Sequence, residues 1–329
     1  MSEPISLSRR VLALALAATA LVAPLGASAQ DAWPTKPVRL VLPFPPGGVT
    51  DLLARALAEK LSPRLGQPVI VDNKPGAGTV LASDLVARAP ADGHTLLMAT
   101  SSLGTAPLIY DKVDYDAIKS FTPITQVASV VHVLVVNPSM PVQSVKDLVA
   151  YAKANPGKLN YASSGSGSTT HLAGELLKFT AGLDIVHIPY KGGPPAYADL
   201  MAGQVDLMFQ GLATAMPQIQ EKKLKVIAVG SEKRHPALPD VPTMNEVLAG
   251  FVSVSWSGLV ASPKTPPAVA NKIHAAISEA LKRPEAARDI KGLDVRDLII
   301  STPAEAVRFT REEKARWGGV IRSTGTTAD

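Results

Sequence analysis

VRLVLPFPPGGVTDLLARALAEKLS, residues 38–62, carries a β-branched apolar run into two prolines and two glycines and then into a helical pattern. Val38 to Phe44 reads as a short buried strand bounded by turn residues. Beyond it Leu53, Ala56, Leu57 and Leu61 fall on one face, opposite Arg55, Glu59 and Lys60, which predicts an amphipathic helix. Thr50 is the expected N-cap, with Asp51 in the first turn. Glycines at such a handover let backbone approach a partner closely, and the start of a helix favours an anion.

The unit recurs along the chain. Further apolar runs lie at 68–73, 95–100, 132–137, 159–164, 184–190, 204–210 and 224–230, each closed by turn residues. Helical patterns fall between many of them, as in SVKDLVAYAKAN, TTHLAGELLKFT and PAYADLMAG. Alternating strands and helices predict an α/β fold with parallel-rich sheets flanked by helices on both faces. Ligands of such sheets sit beyond the carboxyl ends of the strands.

The loops at those ends share a composition. The first offers Pro46, Gly47, Gly48, Thr50 and Asp51, NKPGAGT offers Gly78, and ATSSLGT offers Ser101. SSGSGSTTH offers Ser164, Gly165, Gly167, Ser168, Thr169 and His171, and PYKGGPP offers Tyr190, Lys191 and Gly192. Backbone N–H groups and hydroxyls at several helix starts can surround a carboxylate without a fixed positive charge. Tight βα turns use the same residue types, but five such loops at one sheet edge favour binding. Asp206, inside an apolar strand, is read either as a ligand contact or as a hydrogen-bond partner of a neighbouring helix start.

Catalytic signatures are missing. PGAGT lacks the third glycine of a dinucleotide loop, and neither G-x-x-x-x-G-K-[ST] nor G-x-S-x-G occurs. His171 and Glu175 have metal-ligand spacing, yet H-x-x-x-E alone is a weak signal, and a capping or solvent-facing pair is the expected reading. His94, His132, His187, His235 and His274 are scattered without a second ligand at convincing spacing. The reading is therefore of a non-enzyme with no metal and no cofactor.

Arg9 and Arg10 precede VLALALAATALVAPLGA, and ASA at 27–29 offers small residues for cleavage. That pattern predicts a signal peptide over 1–29, by the Sec route in preference to the twin-arginine one, and a periplasmic destination. With no cysteine there is neither a lipid-anchor site nor a disulfide. Removing 1–29 takes away Arg9, Arg10 and Glu3, so the net charge falls from +5 to +4. So small an excess, spread along the chain, is no nucleic-acid footprint and mildly favours small anions.

Together WPTKPVRLVLPFPPGGVTDLLARALAEKLSPRLGQPVIVDNKPGAG, ADGHTLL, ANPGKLNYASSGSGSTTHLAGEL, HIPYKGGPPAYADLMAGQVDLMF, LPDVPTMNE and TPAEAVRFTREEKARWGGVIR resemble the Bug family, the periplasmic solute receptors of tripartite tricarboxylate transporters. The resemblance covers nearly the whole chain after the signal. It implies a two-lobed (Venus-flytrap) periplasmic binding fold with two hinge crossings, closing on a small mono- or dicarboxylate. It also implies that backbone N–H groups and ordered waters of the first-strand and SSGSGS loops hold the carboxylate. The implied partner is a set of inner-membrane permease subunits, a sensor histidine kinase being the alternative, and the chain is expected to be a monomer. An enzyme acting on a carboxylate is the remaining rival. Three positions depart from the family: Lys74 for Arg, Ala106 for Asn and Gln218 for His. On this plan lobe one is 31–130 plus 254–329 and lobe two is 131–253, with crossings near 125–132 and 250–256. The two long C-terminal helical patterns pack onto lobe one, with Trp317 in the core.

Overall fold

A computed structural model describes residues 33–282 and 298–327. The signal expected over 1–29 lies outside these described residues. In chain order the strands are β1 (Val38–Leu42), β2 (Val69–Asn73), β3 (Thr95–Thr100), β4 (Thr122–Val136), β5 (Asn160–Ser163), β6 (Val186–Pro189), β7 (Leu207–Gly211), β8 (Lys225–Val229) and β9 (Val254–Ala261). The helices are α1 (Val49–Leu65), α2 (Val80–Ala87), α3 (Ser102–Thr105), α4 (Val145–Ala154), α5 (Thr169–Ala181), α6 (Gly193–Met201), α7 (Leu212–Gln220), α8 (Pro267–Leu281) and α9 (Pro303–Thr324).

Strands lie in the order β2-β1-β3-β9-β4-β7-β5-β6, with β8 also on β4. The outer groups are parallel: β1 with β2 and β3, and β5 with β6 and β7. The centre is not. There β3, β7, β8 and β4 meet their neighbours antiparallel, which the strand–helix alternation does not predict. The cause is the fifteen-residue β4, whose first part, Thr122–Val131, pairs with β9. Its second part, His132–Val136, pairs with β7 and β8. One strand therefore serves two sheet halves, and the change of partners falls between Val131 and His132.

Each half has a core on both faces, as the two-residue period of a strand requires. In the first lobe Leu40, Leu96 and Met98 pack with Leu53 and Leu57 of α1 and Ile273 and Ile277 of α8. Val41, Leu97 and Ala99 face the other way, toward Phe121 and Trp256. In the second lobe Leu134, Tyr161 and Phe209 pack on Leu177 of α5, and Val133, Val135 and Met208 pack on Leu200 of α6.

Two local expectations are corrected. α1 starts at Val49 with Gly48 as its N-cap, and no side chain caps it, so Thr50 lies inside the helix. Gly47 at φ +93° turns the chain early enough for this. α9 does not pack on lobe one alone. Trp317, 0 % exposed, and Ile321 share a cluster with Ile109 of lobe one and Leu172 of α5 in lobe two. The C-terminal helix thus lies across both lobes.

Candidate functional site

The carboxyl ends of the parallel strands face each other across the boundary between lobes. The β1–α1 loop is braced from behind. Asp51, 2 % exposed, accepts hydrogen bonds from Gly47 N at 3.0 Å, Arg55 Nε at 3.0 Å and Asn73 Nδ2 at 3.0 Å. Burial pushes its carboxyl pKa up, but these donors outweigh burial and hold it below the usual value. Asn73 Nδ2 also donates to Phe44 O at 2.8 Å, fixing the loop to β2.

The β5–α5 loop is braced by its own residues. Gly165 and Gly167 take φ +122° and +78°, and Ser168 caps α5 by accepting from His171 N at 3.3 Å. Ser164 N donates to Thr170 Oγ1 at 3.0 Å, Gly165 N to Ser163 Oγ at 3.1 Å and Gly167 N to His171 Nδ1 at 3.1 Å. His171 stacks on His187 at 3.9 Å between ring centroids, and His187 Nε2 pairs with Ser163 Oγ at 2.7 Å. Amides that the spacing suggests for a ligand are thus spent inside the loop.

What the loops enclose is a small cleft with a cavity volume of about 80 Å³. Four helix starts line it: Gly48–Thr50 of α1, Ser168–Thr170 of α5, Gly193 and Pro194 of α6, and Gly211 before α7. The first amides of a helix have no intrahelical acceptor and sit at the positive end of its dipole. Pro194 and Pro195 remove two donors from α6, which leaves that helix to contribute mainly its dipole. No Asp, Glu, Lys or Arg lines the cleft among the described residues. Each helix dipole stabilises a nearby anion by about 0.3–1 kcal/mol, and by up to about 2 kcal/mol when partly buried.

The floor comes from the central antiparallel strands. Thr100 of β3 sits opposite Ser257 of β9 in register, and both line the cleft. They are 6 % and 1 % exposed, and neither Thr100 Oγ1 nor Ser257 Oγ has a hydrogen-bond partner among the described residues. Leaving such a buried hydroxyl unmatched costs about 1–3 kcal/mol. Beside them Ser101 Oγ and Ser255 Oγ satisfy each other at 3.2 Å.

His132, at the partner change in β4, completes the wall. Nδ1 pairs with Ser253 Oγ at 2.7 Å, and Nε2 lies 3.4 Å from Thr169 Oγ1. Burial, with Arg316 nearby, pushes its pKa down to about 4, so the ring is neutral at pH 7. A base that weak, with no carboxylate orienting it, is poorly suited to activating Thr169.

A second chamber joins the cleft past Phe44, Pro45, Ser164 and Ser168. It is lined by Gly78, Tyr110, Gly165, Tyr190, Lys191 and Gly192 among others. Across this mouth the lobes touch. Tyr110 OH donates to Ser166 O at 2.9 Å and Thr105 Oγ1 to Gly167 O at 3.3 Å. A Cβ on Gly78 would lie 2.5 Å from Ser166 O, and one on Gly192 would overlap Pro45. The lobes are closed on one another.

Of the residues chosen from sequence, Gly48, Thr50, Ser164, Ser168 and Thr169 line the cleft, and Gly78, Gly165, Tyr190, Lys191 and Gly192 line the outer chamber. Gly47 lies in a separate hollow with Pro194 and Gln218, and Pro46 is exposed outside the cleft. Ser101, Asp51 and His171 support the walls from behind, and Gly167 faces Tyr110 rather than the cavity. Asp206 is at the opposite end of its strand, where Oδ2 accepts from Asn160 N at 2.8 Å, so it is remote from the cleft. Glu175 accepts from Tyr161 OH at 2.6 Å and from Lys178 at 2.9 Å, and no group of three His, Cys, Asp or Glu able to hold a metal exists among the described residues. Lys74 pairs with Asp72 at 3.3 Å away from the cleft, and Ala106 is buried without lining it. Sequence reasoning missed Thr100, His132, Gln210, Ser255 and Ser257. Polar residues inside apolar strands were the available signal, applied only to Asp206.

Residues 53–326 match the model for the tripartite tricarboxylate transporter family receptor. Protein BugT of Bordetella pertussis is 36 % identical over 318 residues, 96 % of each chain. Among solved structures, Rpa4515 of R. palustris with adipate has a TM-score of 0.85 at 35 % identity, covering 90 % of this chain and all of that one. The periplasmic binding protein BugD has a TM-score of 0.84 at 35 % identity, with the same coverage.

Proposed function

The chain belongs to the tripartite tricarboxylate transporter receptor family, and from that premise we propose that it captures a small organic carboxylate between its lobes and delivers it to a membrane permease. One observation carries this reading: four helix starts converge on a cleft whose lining includes several hydroxyls and, among the described residues, no charged side chain. Dipoles and free N–H groups suit a singly charged oxygen pair that must be released again, whereas a buried lysine or arginine would hold it with a strong charge-assisted pair. The adipate in a neighbour of similar fold is an acid of the proposed class.

In this account residues 1–29 direct export and are removed, and the protein works in the periplasm. Among the described residues no helix is long and apolar enough to cross a membrane. Residues 31–130 plus 254–329 move against 131–253, with α9 in contact with both and the crossings at Val131/His132 and Ser253/Val254 as hinges. In this account the protein binds and releases its ligand unchanged, as suits a member of a receptor family. Screening organic acids by thermal shift tests the reading. A ligand at 100 times its Kd adds about 2.7 kcal/mol of stability, and a folded protein that no carboxylate stabilises would refute it.

A further inference from the structure

Two atoms of the cleft are unexplained by the capture of a carboxylate. Thr100 Oγ1 and Ser257 Oγ are buried, without a hydrogen-bond partner among the described residues, and opposite one another on the floor, while the neighbouring Ser101 and Ser255 hydroxyls are matched. Trp256, between Ser255 and Ser257, turns to the opposite face and packs with Val41 and Phe121, so the strand that carries Ser257 is anchored on its other face. The helix starts come from the loops that follow the strands, and among the described residues no cation lines the cleft. The two hydroxyls can each donate to, or accept from, a group resting there. An alcohol does both with one oxygen. A second carboxylate only accepts, and it would be buried beside no positive charge.

We propose that Thr100 and Ser257 read a hydroxyl substituent on the bound acid, so that the ligands of this receptor are hydroxycarboxylates. The inference rests on the carboxylate-capture reading and adds the specificity that the helix starts alone cannot supply. A site that hydrogen-bonds a hydroxyl discriminates strongly against the analogue lacking it, because its own polar groups are then left unpaired.

The test is calorimetry on the whole mature protein with matched pairs of acids differing by one hydroxyl: lactate and propionate, 3-hydroxybutyrate and butyrate, malate and succinate. The wild type is expected to bind the hydroxy member of at least one pair tenfold or more tightly. Ser257→Ala and the near-isosteric Thr100→Val are each expected to bring that ratio to within about threefold of unity. Equal binding within every pair, or succinate binding as tightly as malate with no other pair discriminated, overturns the inference while leaving carboxylate capture intact. So does a ratio unchanged in both variants. If Thr100→Val fails to fold, the wild-type ratio and Ser257→Ala still decide. A folded wild type that binds no acid of any pair or of the wider panel overturns the capture reading, and this inference with it.

Discussion

Replacing Tyr110 with Phe removes one oxygen whose hydrogen bond to Ser166 O, 2.9 Å long, runs from lobe one to lobe two across the cleft mouth. The bond needs closed lobes; in an open protein the same hydroxyl meets water. A neutral hydrogen bond contributes about 0.5–1.5 kcal/mol net when it replaces bonds to water. The closed form should lose that much relative to the open one, while each lobe keeps its own core. Ligand that binds only the closed form must then draw from a smaller population, so its affinity falls about two- to tenfold. Calorimetry with the best acid from the screen gives the affinity, small-angle scattering gives the open–closed balance, and circular dichroism confirms the fold. An unchanged Kd and an unchanged scattering profile would refute the assignment of Tyr110 to a closure contact. The ring itself should stay, since Tyr110 carbon atoms also pack against Gly167, so truncation beyond Phe would confound the test.

Gly167→Val places a branched side chain at φ +78° about 3.2 Å from Tyr110; the folded variant should close poorly and lose a hundredfold or more in affinity, and wild-type calorimetry from it would contradict the closure geometry. Ser168→Ala removes the cap of α5 that accepts from His171 N and should lower stability by about 1 kcal/mol in urea unfolding, besides weakening ligand. His132 titrates near 4 in the fold against about 6.5 unfolded. Its neutral form is favoured by folding, so the stability is fully present above about pH 6.5 and is lost as pH falls toward 4. His132→Gln should flatten that part of the stability–pH curve, and a curve parallel to wild type would count against the burial account.

The sequence showed the α/β class and most of the glycine loops because those signals are local. Apolar runs, amphipathic spacing and glycines at positive φ, such as Gly165 and Gly192, leave marks within a few residues. The central antiparallel strands did not show. β9 and the first part of β4 carry Ser255, Ser257, Thr125 and Gln126 at buried positions, which breaks the apolar run that identifies a strand. Those residues are tolerated for reasons no local pattern records. Thr125 Oγ1 donates to Ser301 O at 2.8 Å, 176 residues away, and Ser255 and Ser257 face the cleft. The residues that concealed these strands are thus partly the ones that line the cleft. Asp51 and Gly167 show the converse. Their types and places suit a ligand contact, but bonds to Arg55 and Asn73 in one case and to His171 in the other commit them to holding the loops.

The central claim, an anion held by helix starts without a fixed charge, is met most directly by a crystal structure with the tightest-binding acid of the screen. The account predicts carboxylate oxygens about 2.7–3.2 Å from backbone N–H groups at the starts of α1 and α5, between Thr50 and Thr169, with no lysine or arginine in contact. A carboxylate paired with the Lys191 ammonium in the outer chamber, or bound outside the lobes' common cleft, would contradict it.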